Sequence, residues 1–141
     1  MLEECKKRVI SLGFIDKAKF FQMNVLNLKL DTRFDCAIIG FLLSHFTEEQ
    51  ERQFFSLLKN ILSNDGTFLV LDSSWMDERK KAKSKEDVQE RKLVDGRIFK
   101  IYKKYFDKND LYRMAEKNGF KILDVYFGEA FLVFKACFRN V

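Results

Sequence analysis

The chain has 141 residues, of which 47% are hydrophobic and 33% charged, with a net charge of +5. That is the size and make-up of one folded domain rather than a disordered segment. No apolar run approaches the roughly 20 residues that cross a bilayer. The start, MLEECKKRVI, lacks the basic opening and long apolar stretch of a secretory signal, so a cytoplasmic protein is expected. The modest positive charge permits an acidic partner without requiring one. Cys5, Cys36 and Cys137 form no C-x-x-C pair, and with a single histidine there is no zinc-binding spacing. Each cysteine is expected to be a small buried apolar residue in a reducing compartment.

Leu2, Cys5, Val9 and Leu12 recur at helical spacing, and Gly13 supplies a stop. Ala18–Asn24 (AKFFQMN) is short and aromatic and predicts a strand. After a polar turn at Lys29–Arg33, the unbroken apolar run Phe34–Phe41 (FDCAIIGF) suits a strand buried on both faces, as in parallel sheets. Thr47 and Gln50 make a capping box for a helix whose inner face carries Phe54, Leu58, Ile61 and Leu62, with Glu48 and Glu49 at its positive end. Asn64-Asp65-Gly66 predicts a turn, and Thr67–Asp72 (TFLVLD) another fully buried strand.

Residues 73–97 are charged and poorly periodic, and predict a partly helical, exposed, lid-like insertion within a single domain spanning 1–141. Ile98–Phe106 predicts a strand or extended arm. Asp107 caps a helix with Leu111, Met114 and Ala115 inward, closed by Asn118-Gly119. Phe120–Tyr126 and Ala130–Phe138, separated by Gly128 and Glu129, predict an antiparallel hairpin. Alternating strands and helices argue for an α/β fold with a mostly parallel sheet, to which the hairpin adds an antiparallel strand.

Three stretches carry a resemblance to class I S-adenosylmethionine-dependent methyltransferases. Phe34-Asp35-Cys36-Ala37-Ile38-Ile39-Gly40-Phe41-Leu42-Leu43-Ser44-His45 is similar to that family's fourth strand, commonly FD, four apolar or small residues, then a leucine and a histidine. Ile61–Asp72 resembles its segment LLKPGG, apolar strand, aspartate, with Asn64-Asp65-Gly66 in place of Pro-Gly-Gly. Arg91–Arg97, Lys103–Phe106 and Asn118-Gly119-Phe120 resemble a branch of small methyltransferases. The resemblance implies an incomplete Rossmann-like sheet. None of the six glycines stands in a G-x-G arrangement, so the family's glycine-rich cofactor loop and the acidic residue that holds the ribose are expected to lie outside these 141 residues.

By the same resemblance the cofactor is S-adenosylmethionine, with weak or absent binding expected for this chain by itself. Met23, Asn24 and Val25 lie on the adenine side, where Asn24 replaces the usual aspartate and can still accept a hydrogen bond; Asn24 reads equally as a turn residue. Gly40 lets a backbone carbonyl approach the methionine amino group, and Phe41 either walls the pocket or belongs to the core. His45 is the candidate catalytic base, the alternative being a histidine that orders its loop through a backbone hydrogen bond. Ser73, Ser74 and Trp75 are placed on the acceptor side, Trp75 reading equally as a cap on the core.

The expected acceptor is a small molecule. Between Trp75 and Phe99 the charges are mixed in sign and no aromatic is present to stack on a base, which argues against nucleic acid. The rival function is an inactive methyltransferase remnant that dimerises or binds a partner. In a sheet without the family's first two strands, Phe34–Phe41 becomes an exposed edge and Ala18–Asn24 has no strand beside it. Pairing of two chains through such edges is then expected.

Overall fold

Thr47 ends an extended stretch and begins a helix. Its hydroxyl accepts from the Gln50 N–H, and the Gln50 side-chain oxygen accepts from the Thr47 N–H, closing the expected capping box. The computed structural model, which describes residues 2–81 and 83–139, continues this helix as α2 (Glu48–Ile61). It is preceded by α1 (Leu2–Ser11) and β1 (Phe34–Gly40), and followed by β2 (Leu62–Ser73), α3 (Asp77–Lys80), β3 (Glu86–Lys92), β4 (Ile98–Lys104), α4 (Lys108–Asn118), β5 (Phe120–Phe127) and β6 (Phe131–Phe138). The fold is α/β, as the alternation of the sequence predicts.

Four strands form one sheet in the order β1-β2-β6-β5. Only β1 and β2 are parallel; β6 runs antiparallel to both β2 and β5, so the sheet is mixed rather than mostly parallel as expected. The reason is that the returning arm of the β5–β6 hairpin is inserted between β2 and β5, which makes both of its pairings antiparallel. The expected turn at 64–66 is absorbed into β2: pairing jumps from Phe34↔Leu62 to Cys36↔Thr67, so the intervening residues bulge outward. Glycine is required there by close approach, because a Cβ on Gly66 would stand 2.9 Å from the Ser63 carbonyl oxygen.

α2 and α4 pack together on one face of the sheet. Phe54, Phe55 and Leu58 of α2 and Leu111, Met114 and Ala115 of α4 meet Phe68, Val70, Phe120, Leu132, Phe134 and Ala136 there. The other face is open. In β2 the even-numbered residues from 66 to 72 are buried and Thr67, Leu69 and Leu71 only half-buried, so Thr67–Asp72 is not a fully buried strand. β1 is an exposed edge, as expected, and is likewise not buried on both faces, with Ile38 77% exposed and Ile39 alone buried. Both corrections have one cause: a strand is buried on two faces only where helices cover both.

The N-terminal third departs further from expectation. α1 forms, yet none of its residues is buried, and Ala18–Asn24 is not a strand but an irregular segment between two short 3-10 turns. A strand needs a neighbour to satisfy its backbone groups, and no sheet edge reaches this segment. Cys5 and Cys36 are exposed rather than buried for the same reason, since α1 and β1 lack covering layers; Cys137 is half-buried, and all three are free thiols.

Residues 73–97 also differ from the expected partly helical insertion. Only Asp77–Lys80 is helical, whereas β3 pairs with β4 along its whole length as a two-stranded ribbon. The overlooked signal is Asp95-Gly96: Gly96 has φ 89°, and the Leu93 N–H donates to the Arg97 carbonyl across the turn. Lys85 ties the ribbon to the α4 cap, 2.6 Å from Asp107 and 2.7 Å from Asp110. Lys104 pairs with the nearly buried Glu51 of α2 at 2.7 Å. At the far end of α4, Gly119 takes the left-handed capping conformation at φ 70°, as expected.

No described residue of 2–33 or 77–100 is buried. Opening these stretches exposes little new apolar surface, so their amides are expected to exchange orders of magnitude faster than those of Thr67–Asp72. Equal protection in a hydrogen-exchange time course would overturn that expectation.

Candidate functional site at the carboxyl ends of β1 and β2

β1 ends at Gly40, and Phe41 then takes φ 53°, a conformation that side-chain-bearing residues rarely adopt. The strained residue is held from two sides. Its N–H donates to the Leu71 carbonyl at 2.8 Å, and its ring meets Phe131 edge-on at 5.4 Å. Above Gly40 there is open space, with no atom within 4 Å of a hypothetical Cβ. Phe41 remains 45% exposed, so it is not a core residue.

The chain then makes one tight turn, Leu43–His45, over the end of β2. The Ser44 N–H donates to Asp72 Oδ2 at 3.0 Å, and the Ser73 N–H to Asp72 Oδ1 at 2.7 Å. Asp72 is fully buried. Lys103 of β4 enters the same spot: its Nζ donates to Ser44 Oγ at 2.6 Å and Ser73 Oγ at 2.9 Å, and stands 3.8 Å from Asp72 Oδ1. Burial lowers the Lys103 pKa, the Asp72 carboxylate opposes that effect, and Arg79 and Arg91 reinforce it. A buried charge is stable only where it is paired and hydrogen-bonded, and both conditions are met.

His45 is bound to the ribbon through Nδ1, 2.9 Å from the Tyr102 carbonyl oxygen. A carbonyl can only accept, so Nδ1 carries the proton and Nε2 is the ring nitrogen left for other chemistry. Ser74 is buried, its hydroxyl donating to the Gly128 carbonyl at 3.2 Å. Trp75 donates its N–H to the Phe106 carbonyl at 2.7 Å and lies 5.9 Å from the Tyr105 ring.

Gly40, Phe41, His45, Ser73, Ser74 and Trp75 thus gather along the carboxyl-terminal edge of the sheet. Met23, Asn24 and Val25 do not join the sheet. They belong to a turn that packs on α2, where Gln53 Nε2 donates to the Leu26 carbonyl at 2.8 Å. The Asn24 side-chain oxygen caps its own turn, accepting from the Leu26 N–H at 3.0 Å, while Met23 is 41% exposed. The residue that sequence reasoning missed is Lys103. In Ile101-Tyr102-Lys103-Lys104-Tyr105 it shares the inward parity of Ile101 and Tyr105, so a lysine placed on the buried face was the available signal.

Among the described residues no cluster of three or more histidine, cysteine, aspartate or glutamate side chains is placed to hold a metal ion, and no helix is long and apolar enough to cross a membrane. No family model and no curated protein matches the sequence. Solved structures do. DhpI, in a complex with SAM and HEP, superposes with a TM-score of 0.76 at 19% identity over 93% of this chain and 63% of its own. The fold is that of class I S-adenosylmethionine-dependent methyltransferases. The glycopeptide N-methyltransferase MtfA with bound S-adenosylmethionine gives a TM-score of 0.69 at 16% identity, over 99% of this chain and 68% of its own. An S-adenosylmethionine-dependent methyltransferase from Clostridium acetobutylicum gives 0.72 at 12% identity, over 99% and 71%. This chain therefore spans 60–63% of the two DhpI structures and about two thirds of the others.

Proposed function

We propose that the chain supplies the acceptor side, and part of the cofactor side, of an S-adenosylmethionine-dependent methyltransferase acting on a small molecule. The observation that carries this reading is the strained Phe41 beside the open Gly40, at the sheet edge where open α/β folds bind ligands. The residues there fit the cofactor: Gly40 is exposed with open space at its Cβ position, which leaves room for a methionine amino group, and the exposed Phe41 ring would form a wall. The Met23-Asn24-Val25 turn takes the adenine side, with the Asn24 oxygen exchanging its own turn for the adenine amino group.

When bound, the sulfonium supplies both the methyl group and its leaving group. What remains for the protein is alignment, which accounts for a large share of the rate in such transfers. Of the acceptor-side residues Trp75 is half-buried and open to an acceptor, while Ser73 and Ser74 are buried and brace that side through Lys103 and the Gly128 carbonyl. The Nε2 of His45 is the group available to receive an acceptor proton.

Phe41 and Met23 lie open rather than enclosed. With few desolvated polar contacts, each worth about 1 kcal/mol, this chain by itself is expected to bind S-adenosylmethionine with a dissociation constant near millimolar. Shifts of the Gly40 and Phe41 amides in an NMR titration would support the site; no shift there would overturn it. A calorimetric constant in the low micromolar range would overturn the expected weakness.

A second reading, an inactive domain that dimerises or binds a partner, is favoured by the bare edge of β1 and the exposed Ile38. It expects light scattering at high micromolar concentration to give twice the chain mass of 16.8 kDa. A monodisperse monomer would remove its dimer form.

A further inference from the structure

β3 and β4 pair in register with Asp87 opposite Lys103, Gln89 opposite Ile101 and Arg91 opposite Phe99. Side chains alternate between the faces of a ribbon, so Arg91 and Lys103 share one face, with Gln89 between them. This face turns toward the candidate site, because Lys103 reaches Ser44 and Ser73. Tyr105 lies buried on it, with the Arg79 guanidinium 4.8 Å and the Lys103 ammonium 5.5 Å from its ring centre. Lys83, Ser84, Asp87, Gln89 and Arg91 line a shallow depression of about 410 Å³ on the ribbon, and Gln89 Nε2 donates to the Tyr105 hydroxyl at 3.4 Å.

Arg79 and Lys103 thus flank the Tyr105 ring, Lys103 already paired with Asp72. Lys83 and Arg91 border the depression beside it, Arg91 bonded to the Gln89 that reaches the Tyr105 hydroxyl. Two carboxylates face these cations. Asp72 is fully buried and already accepts two backbone N–H groups, and Asp87 accepts from its neighbour Val88 at 2.7 Å. Among the described residues no acidic side chain forms an ion pair with Arg79, Lys83 or Arg91. Arg79 instead donates to the Ala130 carbonyl and Arg91 to Gln89, weak neutral partners for guanidinium groups. Guanidinium groups bind carboxylate and phosphoryl oxygens through paired donors, so uncompensated positive charge beside a reaction site selects an oxyanion.

We propose that Arg79, Lys83 and Arg91, left without an ion pair among the described residues, form an oxyanion subsite that holds a carboxylate or phosphoryl group of the methyl acceptor beside Tyr105. The assignment deepens the methyltransferase reading and rests on it for the word acceptor; the anion site itself does not. Inorganic phosphate, and separately acetate, titrated into the 141-residue chain with sodium chloride at matched ionic strength as control, test it by NMR without any S-adenosylmethionine. Saturable shifts centred on Tyr105, weakened roughly tenfold in Arg91→Gln, are expected from the loss of one charge-assisted contact. Arg91 is exposed, so that variant keeps the fold; Arg79→Gln gives a second, independent measurement. Tighter phosphate assigns a phosphoryl acceptor and tighter acetate a carboxylate. Shifts that fail to saturate, that sodium chloride reproduces, or that persist unchanged in both variants overturn the subsite. Failure of the methyltransferase reading leaves a positive phosphate result standing, and failure of phosphate binding leaves that reading untouched.

Discussion

Asp72→Ala is expected to destabilise the chain by about 3–5 kcal/mol, the range for removing one partner of a buried ion pair. Asp72 is fully buried and Lys103 8% exposed, so without the carboxylate the ammonium keeps two hydroxyls and the Tyr105 ring but no counter-charge at contact distance, and the N–H groups of Ser44 and Ser73 lose their acceptor. The damage is larger than one contact because this cluster joins three parts of the fold: the turn after β1, the end of β2, and the ribbon. Urea unfolding of the single variant measures it. Pairing Asp72→Ala with Lys103→Met should recover part of the loss, since the stranded charge goes too. A loss below about 1 kcal/mol in Asp72→Ala would show that the cluster does not hold the site together.

Phe120→Ala is expected to cost about 3–5 kcal/mol, the range for emptying a buried aromatic position. Phe120 is fully buried, and its ring lies 5.0 Å from Phe55, 5.2 Å from Phe68 and 6.1 Å from Phe134. It is the point where α2, β2, β5 and β6 meet, so neighbouring rings cannot collapse into the gap without moving a strand. The control is Ile38→Ala on the open face, expected to change stability by less than about 0.5 kcal/mol in a monomer. Chemical denaturation compares the two. Equal losses would mean that the open face is covered in solution, as the dimer reading requires.

Both effects follow from a sheet covered by helices on one side and bare on the other, and that asymmetry was the least legible feature of the sequence. The run Phe34–Phe41 has the composition of a strand buried on both faces, and composition cannot say whether the second covering layer is present. Ala18–Asn24 has the aromatic content of a strand, yet a strand exists only where another edge accepts its backbone. The ribbon was hidden differently. The charged side chains of Glu86–Lys92 carry no alternating apolar signal, and the strand is held by backbone pairing to β4 and by the Asp95-Gly96 turn.

The sequence by itself determined the features whose causes are local. Thr47–Gln50 and Asp107–Asp110 set the helix starts through side chains three residues apart, Gly119 the helix end through its left-handed backbone, and Gly128 the hairpin. The order of strands and helices, and with it the α/β class and the methyltransferase likeness, followed from the same local signals. Only the tertiary structure decided the contents of the site. Ser44, Asp72 and Lys103 are separated by 28 and by a further 31 positions along the chain, and the parity that Lys103 shares with Ile101 and Tyr105 marks its face of the strand but not the partners that bury it. Burial of a lysine is fixed by which partners the folded chain brings within hydrogen-bond reach, a property of the packed ribbon and sheet that no short stretch of sequence contains.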